Sequence, residues 1–202
     1  MSGYPMLVDG PSVRALVVGG GAVAARKAVA LLESGAAVRV VATTLGAELK
    51  GECDGGAWGA RLSITERPYR TGDVADATLV IAATDSREVN ARVTADAREK
   101  CRLVNVADAP AEGDWVTVAT HRAGPLIVSV SAGGVPSAAA RIRDAIAERF
   151  DGRYGEALTA LGALRARLLR AGWRDAEAAL VGPDFCERVE RGELTARAAA
   201  WR

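Results

Sequence analysis

The sequence predicts a Rossmann-type α/β fold: a parallel sheet, then a small α+β region and a helical carboxyl-terminal region. Three observations predict it. A strand, a glycine turn, a helix and a second strand fill the first 42 residues. Strands alternate with helices as far as residue 106, the pattern of a parallel sheet. Two β runs then stand too close together for a crossover helix, and the remainder reads almost wholly helical.

The first β run is residues 14–18. It breaks into Gly19, Gly20 and Gly21 and then into residues 22–34, where Val23, Ala24, Ala28, Leu31 and Leu32 recur at helical spacing. Gly35 stands where a helix ends on a left-handed residue, and residues 37–42 form the second β run. Residues 61–65 read as a weak strand, 77–83 as a strong buried one, 87–98 as a helix and 102–106 as a further buried strand. After Asp108-Ala-Pro110, residues 115–120 and 126–131 are β runs joined by His121-Arg-Ala-Gly-Pro125, a spacing that predicts an antiparallel hairpin. From Pro136 the chain reads helical, with breaks near Gly152, Gly172 and Gly182-Pro183. These readings divide the chain into a nucleotide-binding domain at 1–112, a middle region at 113–150 and a helical region at 151–202.

Composition narrows the function classes. Of 202 residues, 26 are basic and 25 acidic, a net charge of +1 with the signs interspersed, which argues against a nucleic-acid partner. No apolar stretch approaches the roughly 18 residues of a membrane span, and no basic segment precedes an apolar run at the amino terminus. A soluble, cytoplasmic protein without a membrane partner is therefore expected. Cys53, Cys101 and Cys186 are odd in number and widely spaced, which predicts reduced, buried thiols. No Cys, His, Asp and Glu cluster has metal-ligand spacing, so no metal site is assigned.

The chemistry concentrates at the predicted strand ends. Gly19-x-Gly21-x-x-Ala24 is the dinucleotide fingerprint in its proper strand-to-helix context. Gly19 allows the tight turn, Gly21 lets a pyrophosphate approach the backbone, and Ala24 keeps helix and strand close. Gly20, Ala22 and Val23 complete the phosphate loop through their amides. The acidic ribose partner expected at the end of the second strand is missing, because Val41-Ala-Thr-Thr44 stands there. Thr43 or Thr44 could bond a ribose hydroxyl, and Arg39 could either meet a 2′-phosphate or be a solvated strand residue. NAD is the expected cofactor, with NADP left open. Thr84 and Asp85 end the fourth strand on the cofactor rim, and Asp108, just past the fifth, is the acid/base candidate or else a turn carboxylate. His121, Arg122, Arg141 and Arg143 are candidates for binding an anionic substrate. Ser131 and Gly133 offer either a second anion-binding turn or a helix cap.

Taken together, Tyr4-Pro-Met-Leu-Val8, the segment from Val17 to Lys27, Ile81-Ala-Ala-Thr-Asp85 with Asn90, Asn105-Val-Ala-Asp-Ala-Pro110 and the segment from Pro125 to Gly134 resemble the precorrin-2 dehydrogenase family. This is the dehydrogenase/ferrochelatase part of siroheme synthases, and the resemblance covers residues 4–150. It implies NAD-dependent oxidation of precorrin-2 to sirohydrochlorin in siroheme, hence tetrapyrrole, biosynthesis. In some members ferrous iron is then inserted as a second substrate. It also implies a homodimer whose interface and active-site cleft are built by the region after the Rossmann domain, here 113–150, and it matches the family's key aspartate to Asp108. The chain departs from the family at the missing ribose acid, at Ala132 where some members have a second serine, and at Pro136-Ser137, where the order Ser-Pro is common. A nucleotide-binding sensor without chemistry of its own is the alternative reading, and tolerance of Asp108→Ala would distinguish it.

Overall fold

The computed structural model describes residues 3–170 and 181–200. The chain forms two compact units, Met1–Val116 and Thr117–Arg202.

The first unit is a five-stranded parallel sheet of β1 (Arg14–Val18), β2 (Ala37–Ala42), β3 (Leu62–Glu66), β4 (Leu79–Ala82) and β5 (Leu103–Val106), in the order β3-β2-β1-β4-β5. The switch in strand order falls between β1 and β4, where a doubly wound sheet opens its ligand crevice. Both faces are covered, which explains why β1 reads as an unbroken apolar run. Ala15 and Val17 face one layer with Ala24, Ala28 and Leu32 of α1 (Ala22–Glu33). Leu16 and Val18 face the other with Val93 and Ala97 of α3 (Arg87–Glu99). Helix α1 stops at Glu33, two residues before Gly35, whose φ of 96° follows the Ser34 cap and ends the helix as the sequence predicts.

Two features escape the periodicity. Helix α2 (Ala47–Asp54) connects β2 to β3, yet it buries only Leu49 and therefore carries no apolar stripe to read. The return from β3 to β4 has only a 3-10 turn, Thr71–Val74, in place of a helix. That turn is held by Asp73, which is 4 % exposed. Its carboxylate accepts two hydrogen bonds from Arg67, at 2.8 and 2.6 Å, and one from the Arg70 amide at 2.9 Å, with Arg39 beside it. The Arg67 hydrogen bonds foremost keep the Asp73 carboxyl below its ordinary range, against the opposing effect of burial. The group is thus ionised in the fold at a pH where the unfolded chain would protonate it, so its contribution is present above the ordinary carboxylate range and lost as pH falls below it. Asp73→Asn is expected to cost about 3 kcal/mol at pH 7, because Arg67 and Arg39 then face each other without an acid. Urea titrations at pH 7 and pH 3 check this, and the deficit should shrink at pH 3.

The second unit begins with an antiparallel hairpin of β6 (Ala119–Ala123) and β7 (Leu126–Val130), with Ala119 paired to Val130 and Ala123 to Leu126. The sequence places the first strand too early and treats His121, Arg122 and Ala123 as part of the connection. The structure corrects this: the turn is only Gly124-Pro125, with Gly124 at φ 56°, so His121 and Arg122 lie within β6. Residues 115–118 lie outside the β6–β7 ladder, and their β-branched valines mimic a strand. Helix α4 (Pro136–Arg149) packs on the hairpin, and His121 Nε2 lies 2.6 Å from Phe150 O at the α4 end. Helix α5 (Gly152–Arg170) presents Tyr154, Ala157, Leu161, Leu164 and Leu168 to α6 (Phe185–Glu190) and α7 (Glu193–Ala200). The predicted breaks at Gly152 and Gly182-Pro183 are present, and the one near Gly172 lies outside the described residues. Cys53 and Cys101 are exposed and Cys186 is only half-buried, which corrects the expectation of buried thiols.

Candidate functional site

The carboxyl ends of β1, β2, β4 and β5 form one rim, because the ladder runs a residue past each strand. Gly19 N–H donates to Val41 O at 2.9 Å, Ala83 N–H to Val18 O at 2.8 Å, and Ala107 N–H to Ala82 O at 2.9 Å. Gly19, Gly20, Gly21, Thr43, Thr84, Asp85 and Asp108 therefore emerge along a single edge of the sheet.

Each glycine of the turn has its own reason. Gly19 sits at φ 133°, and a Cβ there would lie 2.2 Å from Ala83 O. At Gly20 a Cβ would lie 1.9 Å from Thr44 O. Gly21 differs, since a Cβ there would meet nothing within 4 Å. The fold does not need Gly21 to be glycine, but a group approaching the amides of Ala22 and Val23 would. No side chain caps α1 and no acid lies in its first turn, so its amides face solvent as anion donors. Arg26 and Lys27 follow on the next turn, and burial foremost, then Arg26, lowers the Lys27 pKa. A dinucleotide pyrophosphate fits this cradle.

At the other end of the rim the central residue is Asn90 of α3, which is fully buried. Its Nδ2 donates to Thr84 O at 3.0 Å and to Asp108 Oδ1 at 3.1 Å. Its Oδ1 accepts from Thr84 N–H at 3.1 Å and lies 2.8 Å from Thr84 Oγ1. One amide thus uses all its hydrogen-bonding capacity to join the end of β4 to the carboxylate beyond β5. Asp108 remains 39 % exposed, with Arg87 Nη1 at 3.9 Å and Arg87 shared with Glu112. This is a carboxylate with a fixed orientation and an open face, as a proton acceptor requires. The sequence reading leaves Asn90 and Arg87 out of the site. The signal was available for Asn90, since it lies on the buried stripe of α3 with Val93, Thr94 and Ala97, where a polar amide needs partners. Asn90→Asp is expected to destabilise the fold by about 2 kcal/mol at pH 7, by leaving Thr84 O without its donor and setting two carboxylates together. The loss should narrow as pH is lowered toward 4, which denaturant melts over that range would show.

Arg39 does not reach the rim. It is a mid-strand residue on the face opposite Val38 and Val40, and it is held by Asp73. The substrate candidates fall in the second unit. His121 shares its face of β6 with buried Ala123, whereas Arg122 points to the other face and is exposed, so the two do not converge. Ser131 and Gly133 lie in the exposed turn before α4, Arg141 is exposed on α4, and Arg143 is paired with Asp144. Among the described residues no group of three or more His, Cys, Asp or Glu side chains is placed to hold a metal ion. No helix among them is long and apolar enough to cross a membrane.

Residues 7–119 match the family described as "Putative NAD(P)-binding". The chain is 42 % identical over 156 residues to siroheme synthase of Pseudomonas putida strain W619, covering 76 % of this chain and 32 % of that protein. It is 39 % identical over 195 residues to siroheme synthase of Pseudomonas entomophila strain L48, covering 93 % of this chain and 39 % of that protein. The chain therefore spans about a third of the length of these curated relatives. Among solved structures, SirC, a precorrin-2 dehydrogenase, superimposes with a TM-score of 0.74 at 23 % identity, over 98 % of this chain and all of that one, which establishes the shared fold.

Proposed function

Because the chain belongs to the NAD(P)-binding family, we propose that it oxidises precorrin-2 to sirohydrochlorin with NAD as the acceptor. The observation that carries the reading is Asp108, held by Asn90 on the same rim as the glycine turn and two strands away from it, roughly 10 Å across the sheet. That interval suits an extended dinucleotide that leaves its redox end near the carboxylate. The siroheme synthase relatives support the choice of substrate.

Forming the new double bond requires a hydride and a proton to leave the macrocycle. The nicotinamide, when bound, supplies the hydride acceptor. Asp108 takes the proton, and Asn90 Nδ2, by donating to Oδ1, leaves Oδ2 toward Arg87 and solvent. Arg87, held by Glu112, stabilises the ionised carboxylate before the transfer. The substrate is a polycarboxylate, for which exposed Arg122 and Arg141 with the Ser131 to Gly133 turn are the proposed contacts, while His121 is taken up by Phe150 O.

The chain acts as a homodimer on this reading. Among the described residues no strand pairs with either outer edge of the hairpin, its apolar residues Leu126, Ile127, Val128 and Val130 are only half-buried, and Val135 and Ile142 are 51 % and 48 % exposed. A two-stranded sheet so exposed gains stability from a second copy. Anaerobic turnover of enzymatically generated precorrin-2 with NAD, followed by sirohydrochlorin absorbance, tests the function. Ferrous ion added afterwards reports chelation as an increase over the uncatalysed rate.

A further inference from the structure

We propose that Glu48, in the first turn of α2, is the carboxylate that selects an unphosphorylated adenosine ribose, in place of the acid missing from the end of β2. The proposal rests on the reading of the glycine turn as a nucleotide site, and it names a residue for which β2 has no counterpart.

After β2 the chain passes through exposed Thr43 and Thr44 and returns to the glycine turn, where Gly46 N–H donates to Gly20 O at 2.8 Å. A Cβ built at Gly46 would lie 3.0 Å from Gly20 O, 3.8 Å from Gly21 Cα and 3.2 Å from Glu48 Oε2. The Glu48 carboxylate thus stands beside the phosphate cradle, on the β2 side of the switch point, where the adenosine half of a dinucleotide lies. Glu48 is exposed and makes no side-chain hydrogen bond or ion pair among the described residues. Lys50, two residues on, projects from a different side of α2.

The charges around this end favour the same choice. Two arginines on this side of the sheet are engaged elsewhere: Arg67, directly after β3, is clamped on Asp73, and Arg39 lies on the other face against the same acid. Ala42 is in register with Glu66, and Glu52 and Asp54 follow on α2. Their combined negative charge, second to burial, raises the pKa of the Cys53 thiol between them. A 2′-hydroxyl can donate to Glu48, whereas a 2′-phosphate would enter a negative field that neither Arg39 nor Arg67 is free to offset.

Calorimetric titration of the intact protein with NAD and with NADP tests this, using wild type, Glu48→Gln, and Glu99→Gln as a charge control at the far end of α3. Wild type and Glu99→Gln should bind NAD at least about tenfold tighter than NADP, and raising the salt should narrow that gap. In Glu48→Gln the gap should fall to about twofold, with NAD weakened and NADP tightened. An unchanged gap in Glu48→Gln, or no gap in wild type, overturns the assignment of Glu48 while leaving precorrin-2 turnover untouched. Failure of both nucleotides to bind overturns it together with the nucleotide site itself.

Discussion

Asp108→Ala is expected to lower sirohydrochlorin formation by about 10²- to 10⁴-fold while NAD affinity and unfolding stability stay close to wild type. The size follows from the role: a positioned base is lost from the transition state and solvent must take the proton. The small effect on stability follows from the exposure of Asp108, whose removal leaves Asn90 with its three contacts to Thr84. Asp108→Asn sharpens the result. Its carbonyl can still accept from Asn90 Nδ2, so orientation is retained while basicity is lost, and its turnover should be as low as that of Asp108→Ala. A variant that kept near-normal turnover with Asn at 108 would mean that the carboxylate only shapes the turn. Single-turnover absorbance at saturating NAD measures the step directly.

The second large effect separates two glycines that a motif treats alike. Gly21→Val is expected to weaken NAD binding by about 10²-fold or more while the nucleotide-free protein unfolds within about 1 kcal/mol of wild type. A Cβ at this position meets nothing within 4 Å, so the new side chain grows into the open space that the pyrophosphate needs. Gly19→Ala should do the reverse damage first, costing about 2–5 kcal/mol of stability. Its Cβ would stand 2.2 Å from Ala83 O, in a backbone conformation at φ 133° that L residues avoid. Calorimetric binding and urea unfolding on the same preparations distinguish the two. Equal loss of stability in both variants would show that the turn is a structural crossing and not a cradle.

Much of this was legible before the structure. The strands of the sheet read clearly because both of their faces are largely buried, so β1 and β4 are nearly continuous apolar runs and β2 and β5 are apolar except for Arg39 and Asn105. The position of Asp108 was legible because a residue just past a strand of a parallel sheet must emerge on the ligand rim. What stayed hidden depends on pairing across long stretches of chain. Helix α2 buries a single leucine and so has no period. His121 was placed in a loop because the valines of 116 and 118 resemble a strand, and only the pairing of Ala123 with Leu126 fixes the two-residue turn. Arg39 reads as a candidate phosphate ligand until Asp73, 34 residues later, is seen to hold it. Asn90 and Glu48 were visible as residues, but their contacts with Asp108 and the glycine turn arise only when the sheet assembles.

The most direct test of the central claim is anaerobic conversion of precorrin-2 by wild-type protein, recording sirohydrochlorin and reduced nicotinamide absorbance together. Both should appear in equal amounts, with NAD required and Asp108→Ala slower by about 10²- to 10⁴-fold. Nucleotide binding without any sirohydrochlorin would contradict it, and would make this chain a nucleotide-responsive module in place of a dehydrogenase.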